Sequence, residues 1–186
     1  VTFDTENITF EPITMEKKYP GTRFFFTAHM DSIVHKMSVD IGFGDVVTPY
    51  PAPIDFPLLL QNIPSVNLLA YSLETVVAEK FHTMIDRDEY NSRMKDFFDC
   101  YQLLTKRSLD DNILYEAIKA TFDNRGLEHN PELKLFTDEF ISDAKRQMQW
   151  KLFLKKIQWK EELDFSDVMQ VITDRLKPMA EKYWNK

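Results

Sequence analysis

Cysteine is nearly missing from this chain. Cys100 is the one thiol among 186 residues, so no intrachain disulfide can form, and a reducing compartment, the cytoplasm, is expected. Glycine is scarce as well, at four residues, while 44% of the chain is hydrophobic and 13% aromatic. That balance excludes disordered, collagen-like and linker classes. No CxxC pair or histidine cluster offers a structural zinc site. His29, His35, His82 and His129 show neither HExxH nor Cys/His-dyad spacing and read as structural or exposed. Ser32 and Ser38 lack a GxSxG frame, no phosphate-cradling GxxxxGK[ST] is present, and Gly42-Phe43-Gly44 is not a dinucleotide fingerprint. The longest apolar runs, such as residues 56–60, fall far short of the ~20 residues a membrane span needs. No basic segment followed by an apolar one opens the chain as a secretory signal does, so no membrane is expected. Basic residues number 23 against 30 acidic, a net charge of −7. Any contact with nucleic acid must therefore be local. The chain opens at Val1 rather than Met, which suggests a fragment or a processed form.

What is present divides into two halves. Ile8 and Phe10 alternate with polar residues, and residues 23–28 are rich in Phe and Thr. Tyr19-Pro20-Gly21-Thr22 between them carries the Pro and Gly of a type II turn, which predicts an antiparallel hairpin. A third strand is expected over 33–43, with Met37, Val39, Ile41 and Phe43 on one face and Ser38, Asp40 and Gly42 on the other. Five prolines between 48 and 64 forbid a regular helix or central strand. This stretch reads as a connector, with domains at 1–64 and 65–186. The period then turns helical. Helices are expected from the Ser72 cap to about 85, over 93–104, over 108–124 ending at Gly126, over 137–158, and over 165–176 before Pro178. The fold class is α+β: a small antiparallel sheet followed by a helical half.

Charged residues on apolar helix faces stand out. Leu73, Val76, Val77, Lys80 and Met84 follow the spacing of one buried stripe, which puts an ammonium where leucine is expected. Such a group snorkels, pairs with a carboxylate, or is aimed at phosphate. Asp96 and Asp99 lie side by side at i, i+3 on a helix that is otherwise apolar around most of its circumference. Two neighbouring acids repel unless a cation lies between them, and Lys80, Arg93 or a metal could supply it. Asp40 stands on the polar side of its strand, and a third carboxylate there would suit Mg²⁺ with a triphosphate. Residues 145–160 hold Lys145, Arg146, Lys151, Lys155, Lys156 and Lys160 with no acid, interleaved with Trp150, Phe153 and Trp159. That pattern fits an amphipathic helix with solvated lysines, or a strip that docks an RNA backbone.

Three stretches together resemble the AbiEii/AbiGii-type nucleotidyltransferases, toxins of bacterial abortive-infection and toxin–antitoxin systems. Val39-Asp40-Ile41-Gly42-Phe43-Gly44-Asp45 with Thr48-Pro49 resembles the family's strand with its third metal-site carboxylate. Ser72-Leu73-Glu74-Thr75-Val76-Val77-Ala78-Glu79-Lys80 resembles its acidic-x-x-x-Ala-x-Lys motif, and Arg93-Met94-Lys95-Asp96-Phe97-Phe98-Asp99 its Arg…Asp-x-x-Asp motif. Gln149-Trp150-Lys151-Leu152-Phe153-Leu154 is similar to a recurring helical stretch of the family. The resemblance implies transfer of a nucleoside monophosphate from a nucleoside triphosphate with Mg²⁺, in some members to the 3′ end of tRNA, and a cognate antitoxin encoded nearby. It implies that Lys80 contacts phosphates with Arg93 and Lys95. Asp96 is then catalytic or orients Lys80, Asp99 supports it, and Asp40 assists the metal or acceptor. Lys151, Lys155 and Lys156 are the RNA-binding candidates. The family's glycine loop and Asp-x-Asp pair have no match in residues 1–33, where Asp31-Ser32 offers a single carboxylate. The expectation is a fragment that binds catalytic metal poorly and is inactive alone. The alternatives are a noncatalytic relative that binds RNA or protein, or an enzyme of another class using the same pocket.

Overall fold

A computed structural model describes residues 1–13, 21–58 and 64–185. The chain divides into two compact units, Val1–Asp45 and Val46–Lys186. The architecture is the expected α+β, with antiparallel sheets at the N-terminal end and helices after them.

The first unit is an antiparallel meander of β1 (Thr2–Ile13), β2 (Gly21–Met30) and β3 (Ile33–Gly42), in that order. Of the type II turn expected at Tyr19-Pro20-Gly21-Thr22, the first two residues lie outside the described residues, and Gly21 and Thr22 open β2. Asp31 and Ser32 form the tight link from β2 to β3, with Asp31 in the left-handed region at φ 52°. Aspartate tolerates that region better than most residues. Register pairs Phe24 with Val39, Phe26 with Met37 and Thr22 with Ile41, so these side chains share one face, as the alternation predicts. Phe10 and Phe3 join that face through ring contacts with Phe24 and Phe26.

The second unit begins with an antiparallel pair, β4 (Ala52–Phe56) and β5 (Val66–Ala70). Part of the proline-rich stretch is therefore a strand rather than a plain connector. In a two-stranded ribbon both strands are edges, where Pro53 is tolerated. Six helices follow: α1 (Leu73–Arg87), α2 (Met94–Lys106), α3 (Asp111–Arg125), α4 (Asp138–Ser142), α5 (Ala144–Lys156) and α6 (Phe165–Trp184). The Ser72 hydroxyl caps α1 by accepting from Thr75 N at 3.1 Å. Gly126 ends α3 at φ 59°, the left-handed position where glycine carries no Cβ penalty.

The helix expected over 137–158 is two helices. Asp143 takes an extended ψ of 123°, and its carboxylate accepts from Arg146 N at 2.8 Å to start α5. The Arg146 guanidinium donates to Phe140 O and Glu89 O, both at 2.9 Å, and lies 3.6 Å over the Phe140 ring. The first bond satisfies a carbonyl that the broken helix leaves open, and the second ties the break to the turn after α1. The last helix, expected to stop at 176, runs through Pro178 to Trp184. An interior proline costs about 3 kcal/mol. Beyond it Ala180 is fully buried and the rings of Tyr183 and Trp184 lie against Phe122, which offsets that cost.

The core of this unit is helical, built from Phe81, Phe97, Ile118, Phe122, Trp150, Phe165 and Ile172 among others. The stripe of α1 is turned from its expected centre. Val77, Ala78, Phe81, Met84 and Ile85 are buried, while Leu73 is 40% exposed. Lys80 therefore stands at the margin of the core rather than in its middle. Phe165 contacts Phe97, Phe140 and Trp150 at ring-centroid distances of 5.3, 6.4 and 5.6 Å. Replacing it by alanine is expected to lower unfolding stability by about 3–5 kcal/mol. Chemical denaturation measures this, and a loss under about 1 kcal/mol contradicts a shared aromatic centre.

Candidate active site

Lys80 lies two turns into α1, and Arg93, Lys95, Asp96 and Asp99 lie on the first turns of α2 or just before it. The side chains meet because α1 and α2 pack together, each contributing to one core that includes Phe81 and Met84 from α1 and Phe97 and Cys100 from α2. Lys80 Nζ is 2.9 Å from Asp96 Oδ1 and 2.8 Å from Asp99 Oδ2. Arg93 Nε donates to Asp96 Oδ2 at 2.6 Å, and Lys95 Nζ to Asp99 Oδ2 at 2.5 Å. Three cations thus hold two carboxylates. Asp96 is the buried centre, with its side chain 6% exposed, and Lys95 at 72% reaches solvent.

Burial works to discharge both Lys80 and Asp99, and their mutual contacts overcome it. Desolvation pushes the Lys80 ammonium down, yet Asp99 and Asp96 hold it above the ordinary lysine value. Desolvation pushes the Asp99 carboxyl up, yet Lys80 and Lys95 hold it below the usual carboxylate range. Cys100 lies fully buried nearby, and burial pushes its thiol up, so it stays protonated and inert. Both oxygens of Asp96 are taken, one by Lys80 and one by Arg93. In this arrangement it fixes the positions of its two cationic partners.

An open cleft of ≈ 550 Å³ adjoins the network, lined by Arg93, Lys95, Asp96, Gln149, Leu152 and Lys156 among others. The three expected RNA-binding lysines separate here. Lys156 lines the cleft with Gln149 and Leu152 along one face of α5, whereas Lys151 and Lys155 are exposed and are not among its lining residues. Of the aromatics interleaved with them, Trp150 belongs to the core and Phe153 packs against it. Trp150 is 1% exposed, Trp159 and Phe153 lie against Phe98, and Phe153 also reaches the cleft wall.

A family model described as "Nucleotidyl transferase AbiEii toxin, Type IV TA system" matches residues 2–171. The chain belongs to this family. No curated protein matches it. AbiEii membership makes it nucleotidyltransferase-like and a toxin of a toxin–antitoxin system, which implies a nucleoside triphosphate substrate and an antitoxin partner in general.

Nucleotidyl transferases of this kind generally use a divalent metal, and the AbiEii residues described here do not fit one. No group of three His, Cys, Asp or Glu side chains that could hold an ion occurs among the described residues. Asp40, the expected metal ligand, has both oxygens engaged by Arg23, at 2.7 and 2.8 Å. That bond holds its carboxyl below the usual range, and Arg23 lies directly across the β2–β3 ladder from it. Hydrophobic alternation shows which face Asp40 takes, but its cation comes from strand register, which single-strand spacing does not disclose. Sequence reasoning also missed Ser92, and it marked Gln149 only as part of a family-like helical stretch, not as a cleft residue.

The network sets a pH window for stability. A carboxyl lowered on folding stabilises above its unfolded value of about 4 and loses that contribution as pH falls through the folded value. An ammonium raised on folding stabilises below its unfolded value of about 10.4 and loses that contribution as pH rises. Urea midpoints are therefore expected to hold between about pH 5 and 9 and fall on both sides. Lys80→Met should remove part of the alkaline fall. An alkaline fall of the same size in that variant assigns it to other lysines.

Proposed function

We propose that this chain is a nucleotidyltransferase toxin that moves a nucleoside monophosphate from a nucleoside triphosphate to a hydroxyl acceptor, with the 3′ end of a tRNA as that acceptor. An acceptor oxygen bonds to the α-phosphorus and the bond from that phosphorus to the pyrophosphate oxygen breaks. Pyrophosphate leaves, and the hydroxyl proton passes to solvent. Such reactions are catalysed mainly by placing the partners and by fixed positive charge where charge develops. The observation that supports the reading is Lys80, kept charged between Asp96 and Asp99, with Asp96, Arg93 and Lys95 of the same network lining an open cleft that Lys80 itself does not line. In this reading Lys80 contacts the phosphates, Arg93 and Lys95 widen the cationic surface, and Asp96 and Asp99 are positioning residues. No step is assigned to a metal, since the described residues do not fit one. The cytoplasm is the compartment, consistent with the single buried cysteine, and a nearby-encoded antitoxin is the partner. Among the described residues no helix is long and apolar enough to cross a membrane.

A second reading is supported by the closure of the same network. Both oxygens of Asp96 are already bonded within the protein, as a noncatalytic relative that binds RNA or protein would have them. Lys80→Ala separates the two. The transferase reading expects nucleoside triphosphate binding, measured calorimetrically, to weaken at least about tenfold in a variant that still unfolds cooperatively. It also expects label transfer from radiolabelled triphosphates to bulk tRNA to fall with it wherever the wild-type chain supports transfer. The noncatalytic reading expects no triphosphate binding by either protein and a stability loss of about 3–5 kcal/mol, because a buried carboxylate loses its partner. Equal triphosphate binding by wild type and variant defeats the transferase reading.

A further inference from the structure

A second cleft of ≈ 480 Å³ adjoins the first. Both are lined by Ser92 and Gln149, so the two form one groove between residues 89–96 and the α4–α5 region. Each volume falls within the ~300–1,000 Å³ range of small-ligand clefts. Their charges differ. The first cleft has Arg93, Lys95 and Lys156 against Asp96 alone, and Lys156 has no ion-pair partner among the described residues. In the further cleft Lys134, Lys145 and Arg146 face Glu89, Glu139 and Asp143, three of each sign. Its remaining polar lining is uncharged, with Asn91, Ser92, Thr137 and Gln149. Tyr90 stands at its edge with 83% of its surface exposed.

We propose that this groove holds the end of a single-stranded RNA, with a backbone phosphate between Arg93, Lys95 and Lys156 and a neighbouring base in the charge-balanced cleft against Tyr90. The inference rests on the transferase reading and identifies the acceptor strand's path at that site. A cationic cleft continuous with a neutral polar one suits a ligand that alternates anionic phosphate and uncharged base. An acidic peptide would call for excess positive charge in both clefts. Unpaired bases recognised by stacking and edge hydrogen bonds are the usual basis of RNA recognition. Gln149, common to both clefts, offers an amide donor and acceptor to such an edge. This also explains how a chain of net charge −7 can bind a polyanion: the positive excess is confined to one end of one groove.

The test is fluorescence anisotropy of a labelled single-stranded RNA with a free 3′ hydroxyl, titrated with the full chain in EDTA and without triphosphate. Lys156→Glu is expected to weaken binding about fivefold or more and to lower the slope of log Kd against log salt by about 0.7. Tyr90→Ala is expected to cost about fivefold. Lys151→Glu/Lys155→Glu, on the neighbouring face of the same helix, should change affinity about twofold at most. All these residues are exposed, and melting curves verify that each variant folds. A Lys151/Lys155 effect equal to that of Lys156 overturns the groove in favour of a diffuse basic helix. Equal competition by duplex RNA overturns the single-stranded assignment. Loss of triphosphate affinity in Lys156→Glu with RNA affinity unchanged reassigns the cationic cleft to the triphosphate. Absence of RNA binding, with triphosphate binding intact and Lys80-dependent, defeats this inference and leaves the transferase reading standing.

Discussion

An ammonium held by two carboxylates at the margin of an aromatic core is the constraint from which the rest of the second unit's site follows. Asp96 is almost wholly removed from water, and an ionised carboxylate can be buried there only with paired charge and satisfied oxygens. Lys80 and Arg93 provide both, one to each oxygen. Asp99, a turn further along α2, shares Lys80 and brings in Lys95. Removing Lys80 leaves the buried Asp96 carboxylate with one cation fewer and little water to replace it, so the α1–α2 packing and the Lys80 position are maintained together. Buried ion pairs seldom add net stability over an apolar replacement. Their presence here is better explained by what they position than by what they stabilise.

Much of the helical half is legible in sequence because local chemistry decides it. Ser72 caps α1 and Gly126 closes α3, both through residues whose preference for those positions is intrinsic. The β3 alternation shows which side chains share a face, and the ladder agrees. Failures occur where distant contacts override local preference. Asp143 sits in a run that keeps its helical period, and the break is maintained by Arg146 reaching back to Phe140 and across to Glu89. Pro178 reads as a stop, yet rings on α6 beyond it lie against Phe122. Asp96, Asp99 and Lys80 could be singled out because charge on an apolar helix face violates the pattern, whereas Asp40 stands on the polar side of its strand. Asp40 shows the limit of that signal, since Arg23 across the ladder engages the carboxylate and spacing along one strand cannot disclose it.

The two units leave different surfaces to solvent. In the sheet of the first, Phe10, Val39 and Ile41 stay 71%, 47% and 42% exposed. In the helical unit the apolar side chains of α5 are divided, with Trp150 buried while Leu152 and Met148 remain 60% and 64% exposed. Leu152 belongs to the cleft wall beside Lys156, which gives the cationic end of the groove an apolar floor. A floor of that kind strengthens a charge contact by limiting water around it.

In the proposed reading, acids are useful in a site that binds an anion. Two carboxylates subtract charge, and a cluster of lysines alone would carry more. Bare lysines on flexible stems, however, lose side-chain entropy when they close on a ligand and repel one another before it arrives. Asp96 and Asp99 remove both difficulties by holding three cations within bonding distance of two fixed points on one helix. What remains is a net single positive charge already in place, at the mouth of a groove whose further end is neutral. For an acidic protein the proposed reading confines attraction for phosphate to one spot, with the ordering cost met during folding rather than during binding.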